Sequence, residues 1–227
     1  MSFMVSTPAF AQHAGDIFVG RSSTNQLKIG PPGSGSFSPS TIKVLPPVNS
    51  LFVGWSDNNP GFDHIVTDQP ALDFYALQSG CSVRLQVVQS DPAFSAITSS
   101  FQVLNQPGQS ALLGNNTLHV HLTWLIDSTD PNYDPRRVLY HATYKLVDTG
   151  STGYSASDPF TFNFDACNHG DCNVDGKLDG ADIQYFVTFL LNPGALNSIQ
   201  LCSADMNGDG NLTLADLDGF VSALLAG

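Results

Sequence analysis

Two hydrophobic rhythms divide the chain. From Asp16 to about Phe164, apolar residues come in short runs or in alternation, as in DIFVG, TIKVLP, SLFVGW, SVRLQVVQ, SSFQVLN, TLHVHLTWLID, VLYHATYKLVD and PFTFNF. Gly, Pro, Asn, Asp and Ser break these runs roughly every ten residues, the spacing of an antiparallel sandwich or barrel of short strands. Residues 22–40 and 56–70 are polar and read as surface loops. No amphipathic helix of ordinary length precedes residue 180.

The rhythm then changes. ADIQYFVTFLLN sets Ile183, Phe186, Val187, Leu190 and Leu191 at helical spacing, and LADLDGFVSALLA repeats this with Leu217, Phe220, Val221, Leu224 and Leu225. The two series are offset by 34 residues, and the acidic stretches before them share the offset: Asp171, Asn173, Asp175, Gly176 and Asp182 map onto Asp205, Asn207, Asp209, Gly210 and Asp216. This is an internal duplication of a loop-plus-helix unit. The expected fold is mainly β: an antiparallel β-sandwich over residues 12–165, then a small α-helical module over residues 168–227.

Charge narrows the chemistry. Among 227 residues, 20 are acidic and 8 are Lys or Arg, for a net charge of −12. Nothing here would neutralise phosphates, so neither nucleic acid nor an anionic membrane is an expected partner. Every acid is Asp, a residue of turns, caps and hard-cation loops rather than helix interiors. The absence of Glu removes the acid or base of many glycosidases and zinc proteases, although Asp can replace it. No stretch approaches the ~20 apolar residues of a membrane span. MSFMVSTPAFAQHAGD has an A-x-A-like site at Ala9-Phe10-Ala11, so residues 1–11 read as a signal-peptide remnant and the protein as secreted or cell-surface.

The acidic loops have the spacing of calcium sites, which gather six to eight oxygens from positions 1, 3, 5, 7, 9 and 12. In DCNVDGKLDGAD these are Asp171, Asn173, Asp175, the Lys177 carbonyl, Asp179 and Asp182; in the second loop they are Asp205, Asn207, Asp209, the Asn211 carbonyl, Thr213 and Asp216. Gly176 and Gly210 stand at position 6, where the chain turns sharply. Leu178 and Leu212 at position 8 are expected to join the loops through a short β contact. Ordinary Asp/Gly helix-capping turns do not account for two complete loops in register. With Asp closing each loop and one helix after it, residues 168–227 resemble a type I dockerin. The resemblance implies two antiparallel repeats that fold on two calcium ions and dock onto a cohesin-like or cell-surface partner. One departure is plain: the Ser/Thr pair at positions 10 and 11 of better-known dockerins is replaced by Gly180-Ala181 and Leu214-Ala215. That leaves a structural or self-anchoring use open. Of four cysteines, Cys202 is expected to pair with Cys167 or Cys172.

Histidines supply a second candidate. His119 and His121 lie two apart on an expected strand, so their rings share a face. A tight turn through DSTDPNYDPRR would bring His141 opposite His121, and His13 near the start of the mature chain could join them. Three imidazoles with an open fourth position suit zinc or copper. The competing reading is surface-strand histidines hydrogen-bonded across a sheet. The stretches HAGDIFVGR, GWSDNNPGFD, DPAF, HLTWLIDSTDPNYDP and LVDTGSTGYSASDPF are similar to a family of exported, cell-surface-sorted PEP-CTERM-type β proteins of cyanobacteria and planctomycetes, repressed by the zinc-uptake regulator. That resemblance, over most of residues 12–164, implies zinc binding or scavenging with His13, His119 and His121 as ligands, and no catalysis.

No G-x-S-x-G, H-E-x-x-H, Walker or Rossmann pattern is present. Cys81 lacks the basic neighbours of a nucleophile. The second reading is a carbohydrate-active or glycan-binding module, since dockerin-like tails accompany polysaccharide-degrading enzymes. Trp55, Trp124 and Tyr133 would then be stacking platforms, against their simpler role as core aromatics. A third is a structural cell-surface protein that binds calcium alone.

Overall fold

The structure is a computed structural model that describes residues 15–227 apart from Pro135, Arg136, Val138, Cys167, Gly176 and Gly227. In chain order the strands are β1 (Ile17–Arg21), β2 (Leu27–Ile29), β3 (Ile42–Leu45), β4 (Pro47–Asn49), β5 (Val53–Asp57), β6 (Phe62–His64), β7 (Val83–Ser90), β8 (Phe94–Ile97), β9 (Val103–Leu104), β10 (Ser110–Gly114), β11 (His119–Val120), β12 (Thr123–Asp127), β13 (Leu139–Asp148) and β14 (Phe160–Ala166). Helices α1 (Asp182–Leu191), α2 (Ser198–Ala204) and α3 (Leu217–Ala226) follow. The strands form two five-stranded sheets, β10-β7-β13-β14-β3 and β4-β5-β12-β8-β9, and a four-stranded sheet, β11-β6-β1-β2.

A slab of aromatic side chains joins the sheets. Trp124 and Phe94 from one five-stranded sheet meet Tyr140, Tyr144, Phe162 and Phe164 from the other, all essentially without solvent exposure. Phe94 stacks on Phe164 at 4.6 Å, and Trp124 lies 5.1 Å from Phe164 and 5.5 Å from Phe162, centroid to centroid. Phe62 of β6 completes the slab at 6.3 Å from Trp124. Burying one such side chain is worth about 1.5–3 kcal/mol, and well-placed ring pairs add about 0.5–1.5 kcal/mol. Strand alternation does the sorting: on β13, Tyr140, Ala142, Tyr144 and Leu146 face inward while His141 stays exposed. Burial pushes the Tyr140 phenol up to about 12, so its hydroxyl stays neutral.

Several local expectations are corrected. The sheets are largely antiparallel, but β1 pairs with β6 and β14 with β3 in parallel. Residues 22–40 and 56–70 are not wholly loop, because each carries a short strand anchored by one apolar residue, Leu27 in β2 and Phe62 in β6, both fully buried. β12 and β13 are not a hairpin: β12 pairs with β5 and β8, while β13 pairs with β7 and β14. β12 and β13 therefore belong to different sheets.

The tail has its own small core, where Phe186 and Phe220 stack face to face at 4.1 Å, flanked by Phe189 and Leu212. Only part of the helical stripe is used. Ile183, Val187 and Leu191 of α1 are exposed, as are their duplicates Leu217, Val221 and Leu225 in α3. Helix α2 breaks the expected pattern of one helix per loop. Its signal is local, a capping box in which Asn197 accepts from the Gln200 N–H and the Gln200 side chain accepts from the Asn197 N–H. Helix α2 lies against β3 and so seats the tail on the sandwich.

Near that seam Asp165 is fully buried on the face of β14 opposite Phe162 and Phe164, with neither carboxylate oxygen hydrogen-bonded. Burial, reinforced by the nearby Asp171 carboxylate, raises its pKa from 3.8 to about 7. The folded protein thus holds a proton that the unfolded chain releases, so Asp165 makes stability fall as pH rises through the window from 3.8 to about 7. Asp165→Asn should remove this contribution. In denaturant unfolding, the stability of the variant relative to wild type should climb steadily with pH across that window and level off above it.

Candidate functional site

The two acidic loops are closed by the same internal contacts. In the first, Asp182 is fully buried, and its two oxygens accept from the N–H groups of Asn173 (3.1 Å) and Asp179 (2.9 Å). In the second, buried Asp216 accepts from Asn207 (3.2 Å) and Thr213 (2.8 Å). The position-12 side chain thus draws positions 3 and 9 inward. At position 1, buried Asp171 accepts from the Asp175 N–H (3.1 Å), and buried Asp205 from Asp209 (3.2 Å) and Gly210 (2.7 Å). Asp175 and Asp209 each accept the N–H of position 7, Lys177 (3.0 Å) and Asn211 (2.9 Å). These are short Asp turns in which carboxylates borrow backbone donors. The expected β contact between Leu178 and Leu212 is not seen among the described residues; both side chains pack into the tail core instead.

The loops differ at position 4. Gly208 takes a positive φ of 73°, which glycine adopts freely, whereas its counterpart Val174 takes φ 59°. A β-branched residue there crowds its own carbonyl, at a cost of about 1–2 kcal/mol. Gly210 at position 6 has φ 83°, as the sharp turn requires; Gly176 lies outside the described residues.

Cys81 and Cys172 are buried free thiols, both held protonated by burial. Cys172 is therefore removed from the two partners weighed for Cys202, and Cys167 lies outside the described residues.

The histidine cluster is real in part. His119 and His121 come together with ring centroids 5.3 Å apart. His141 does not join them. It sits opposite Asn163 on β14 and bonds its amide oxygen at 2.8 Å, a consequence of β13 lying in another sheet from β12. His13 lies outside the described residues. The third member is Asp16, just before β1: ligand atoms of Asp16, His119 and His121 all lie within 4.8 Å of one another. Its carboxylate is 2% exposed; one oxygen accepts the Gly61 N–H at 3.0 Å, and the other has no hydrogen-bond partner.

The surroundings fix the His121 ring. Its Nδ1 lies 3.0 Å from the Asn58 carbonyl, which can only accept, so Nδ1 is the donor and Nε2 is the nitrogen turned away from that contact. That Nε2 lies 3.9 Å from the unbonded Asp16 oxygen. The 58–61 segment is itself held from below by Trp124, whose indole N–H donates to the Pro60 carbonyl (2.9 Å), and by Thr123, which donates to the Asn58 side chain (2.9 Å). Gly61 makes room for the His121 ring, which a Cβ there would meet at 2.6–2.8 Å and push aside. Sequence reasoning missed Asp16, and its signal was faint: one Asp before an apolar strand in a chain full of Asp. It also missed the partners of His64, whose Nδ1 lies 2.9 Å from Asp63 and 3.0 Å from the Leu118 carbonyl.

Trp124 is fully buried and offers no stacking face. Trp55 and Tyr133 stack on one another at 5.8 Å. No helix among the described residues is long and apolar enough to cross a membrane.

No curated protein and no solved structure matches the chain, and no match supports the resemblance drawn for residues 12–164. The tail is matched: residues 169–224 fit the family model of the dockerin type I domain, a calcium-binding module for assembly or anchoring.

Proposed function

We propose that this chain is an exported, non-catalytic binding protein whose sandwich holds one zinc ion and whose dockerin tail, organised by two calcium ions, attaches it to a cohesin-like or cell-surface partner. One observation carries the zinc part: a buried carboxylate oxygen without a hydrogen bond beside two imidazoles, one with its orientation already set. Buried polar atoms are nearly always satisfied, and an exception calls for an ion or another explanation. Two imidazoles and a carboxylate are a donor set that zinc accepts, with Asp16, His119 and His121 as the protein ligands.

For calcium, the fit lies in the donors. Asp171, Asn173, Asp175, the Lys177 carbonyl, Asp179 and Asp182 hold the first ion; Asp205, Asn207, Asp209, the Asn211 carbonyl, Thr213 and Asp216 hold the second. Four of these carboxylates, Asp171, Asp182, Asp205 and Asp216, are buried, and a hard divalent ion suits oxygens gathered so closely. Binding energy there is folding energy, so the tail depends on its ions. The duplicated exposed residues, Ile183, Val187 and Leu191 on α1 and Leu217, Val221 and Leu225 on α3, supply apolar side chains for the partner. A Cys167–Cys202 bridge would tie the start of the tail to α2. The glycan reading is the weaker one, because Trp124 lies in the core and Trp55 is stacked on Tyr133.

Native mass spectrometry with and without a calcium chelator and added zinc tests both parts. Two calcium ions and one zinc are expected, with zinc lost in Asp16→Asn and in the double variant His119→Ala/His121→Ala but kept in His141→Ala. Two calciums without stoichiometric zinc would sink the zinc reading, and fewer than two would sink the calcium reading. Gly61→Ala gives an independent check. Its methyl group displaces the His121 ring, so zinc uptake should fall while calcium occupancy and the helical circular dichroism of the tail stay as in wild type.

A further inference from the structure

Asp63 sits on β6 directly opposite His119 of β11 in the antiparallel register, and β6 itself lies between β11 and β1. Its carboxylate is only 6% exposed. One oxygen accepts from the His64 N–H (2.7 Å) and faces the His64 Nδ1 (2.9 Å); the other lies 3.5 Å from the His119 Nδ1. Among the described residues its ion-pair partners are these two imidazoles, with no Lys or Arg. A carboxylate so enclosed is an acceptor in search of N–H donors.

We infer that Asp63 is a positioning residue of the metal centre, which aims the His119 ring and makes it a better donor; this rests on the zinc reading above. The chemistry is specific. A carboxylate oxygen beside Nδ1 can accept only from an N–H there, and such a contact fixes the ring's orientation and leaves the other nitrogen for the metal. A metal held by the ring would make its N–H a stronger donor, and the Asp63 oxygen 3.5 Å from Nδ1 is placed to accept from it. His121 has the same arrangement with a neutral acceptor, the Asn58 carbonyl. The two rings are thus buttressed unequally, one by a peptide dipole and one by a charge. His64 and its backbone N–H hold the far oxygen of Asp63 so that the near one faces His119.

The test is Asp63→Asn in the whole 227-residue chain, with zinc affinity measured by competition against a chromophoric chelator. The amide keeps the shape and one acceptor oxygen but loses the charge. Zinc should bind about 10–100-fold more weakly, while the melting temperature in chelator and the occupancy of the calcium loops remain at wild-type values. A melting temperature that falls in chelator as well would mark Asp63 as merely structural. Unchanged zinc affinity in Asp63→Asn, with binding still lost in His119→Ala, would overturn the positioning role and leave the site standing. A wild-type protein that takes up no zinc overturns the site itself. Should the variant fail to fold, proton NMR of zinc-loaded wild type decides: an exchange-protected His119 Nδ1–H supports the role, and a rapidly exchanging one refutes it.

Discussion

A carboxylate taken out of water must be met by donors or by a cation, and in a chain with 20 Asp and only 8 Lys or Arg this constraint shapes nearly every site. The buried aspartates show how it is met by degrees. Asp182 and Asp216 are satisfied on both oxygens by backbone N–H groups of their own loops. Asp63 draws on two histidines. Asp16 has one oxygen satisfied and one not, and Asp165 has neither satisfied and answers by keeping a proton. The further a carboxylate stands from satisfaction, the more it implies about what else must be present.

The aromatic slab is the passive partner of this chemistry. Trp124 fills the core between the sheets, and its single polar atom reaches out to the Pro60 carbonyl. That bond holds the segment that presents the Asn58 carbonyl to His121 and the Gly61 N–H to Asp16. Positioning at the surface is thus inherited from packing beneath it, so the sandwich is more than a carrier for the tail.

The parts legible in the sequence were those written in local spacing. The duplicated loops were readable because each ligand position recurs in register, and strands such as β7 and β13 because they alternate over many residues. What depended on distant pairing was not readable. His141 was misplaced because its partner strand is chosen by inter-sheet packing and not by the turn before it, and Asp16 reaches the histidines only because β6 pairs with both β1 and β11. The strands β2 and β6 were missed because three residues with one buried anchor leave almost no periodic trace. The exposed side of α1 and α3 was hidden for the opposite reason: apolar spacing reports a face, not what covers it.

The two repeats are copies in sequence but not in mechanics. Val174 occupies a left-handed backbone conformation that Gly208 takes in the other loop without penalty. The first loop is therefore the sprung one, held in shape by its contacts, and the second is the relaxed one. The first loop comes after β14, and its Asp171 lies close enough to Asp165 to raise that residue's pKa, so the strain at Val174 is borne beside the sandwich.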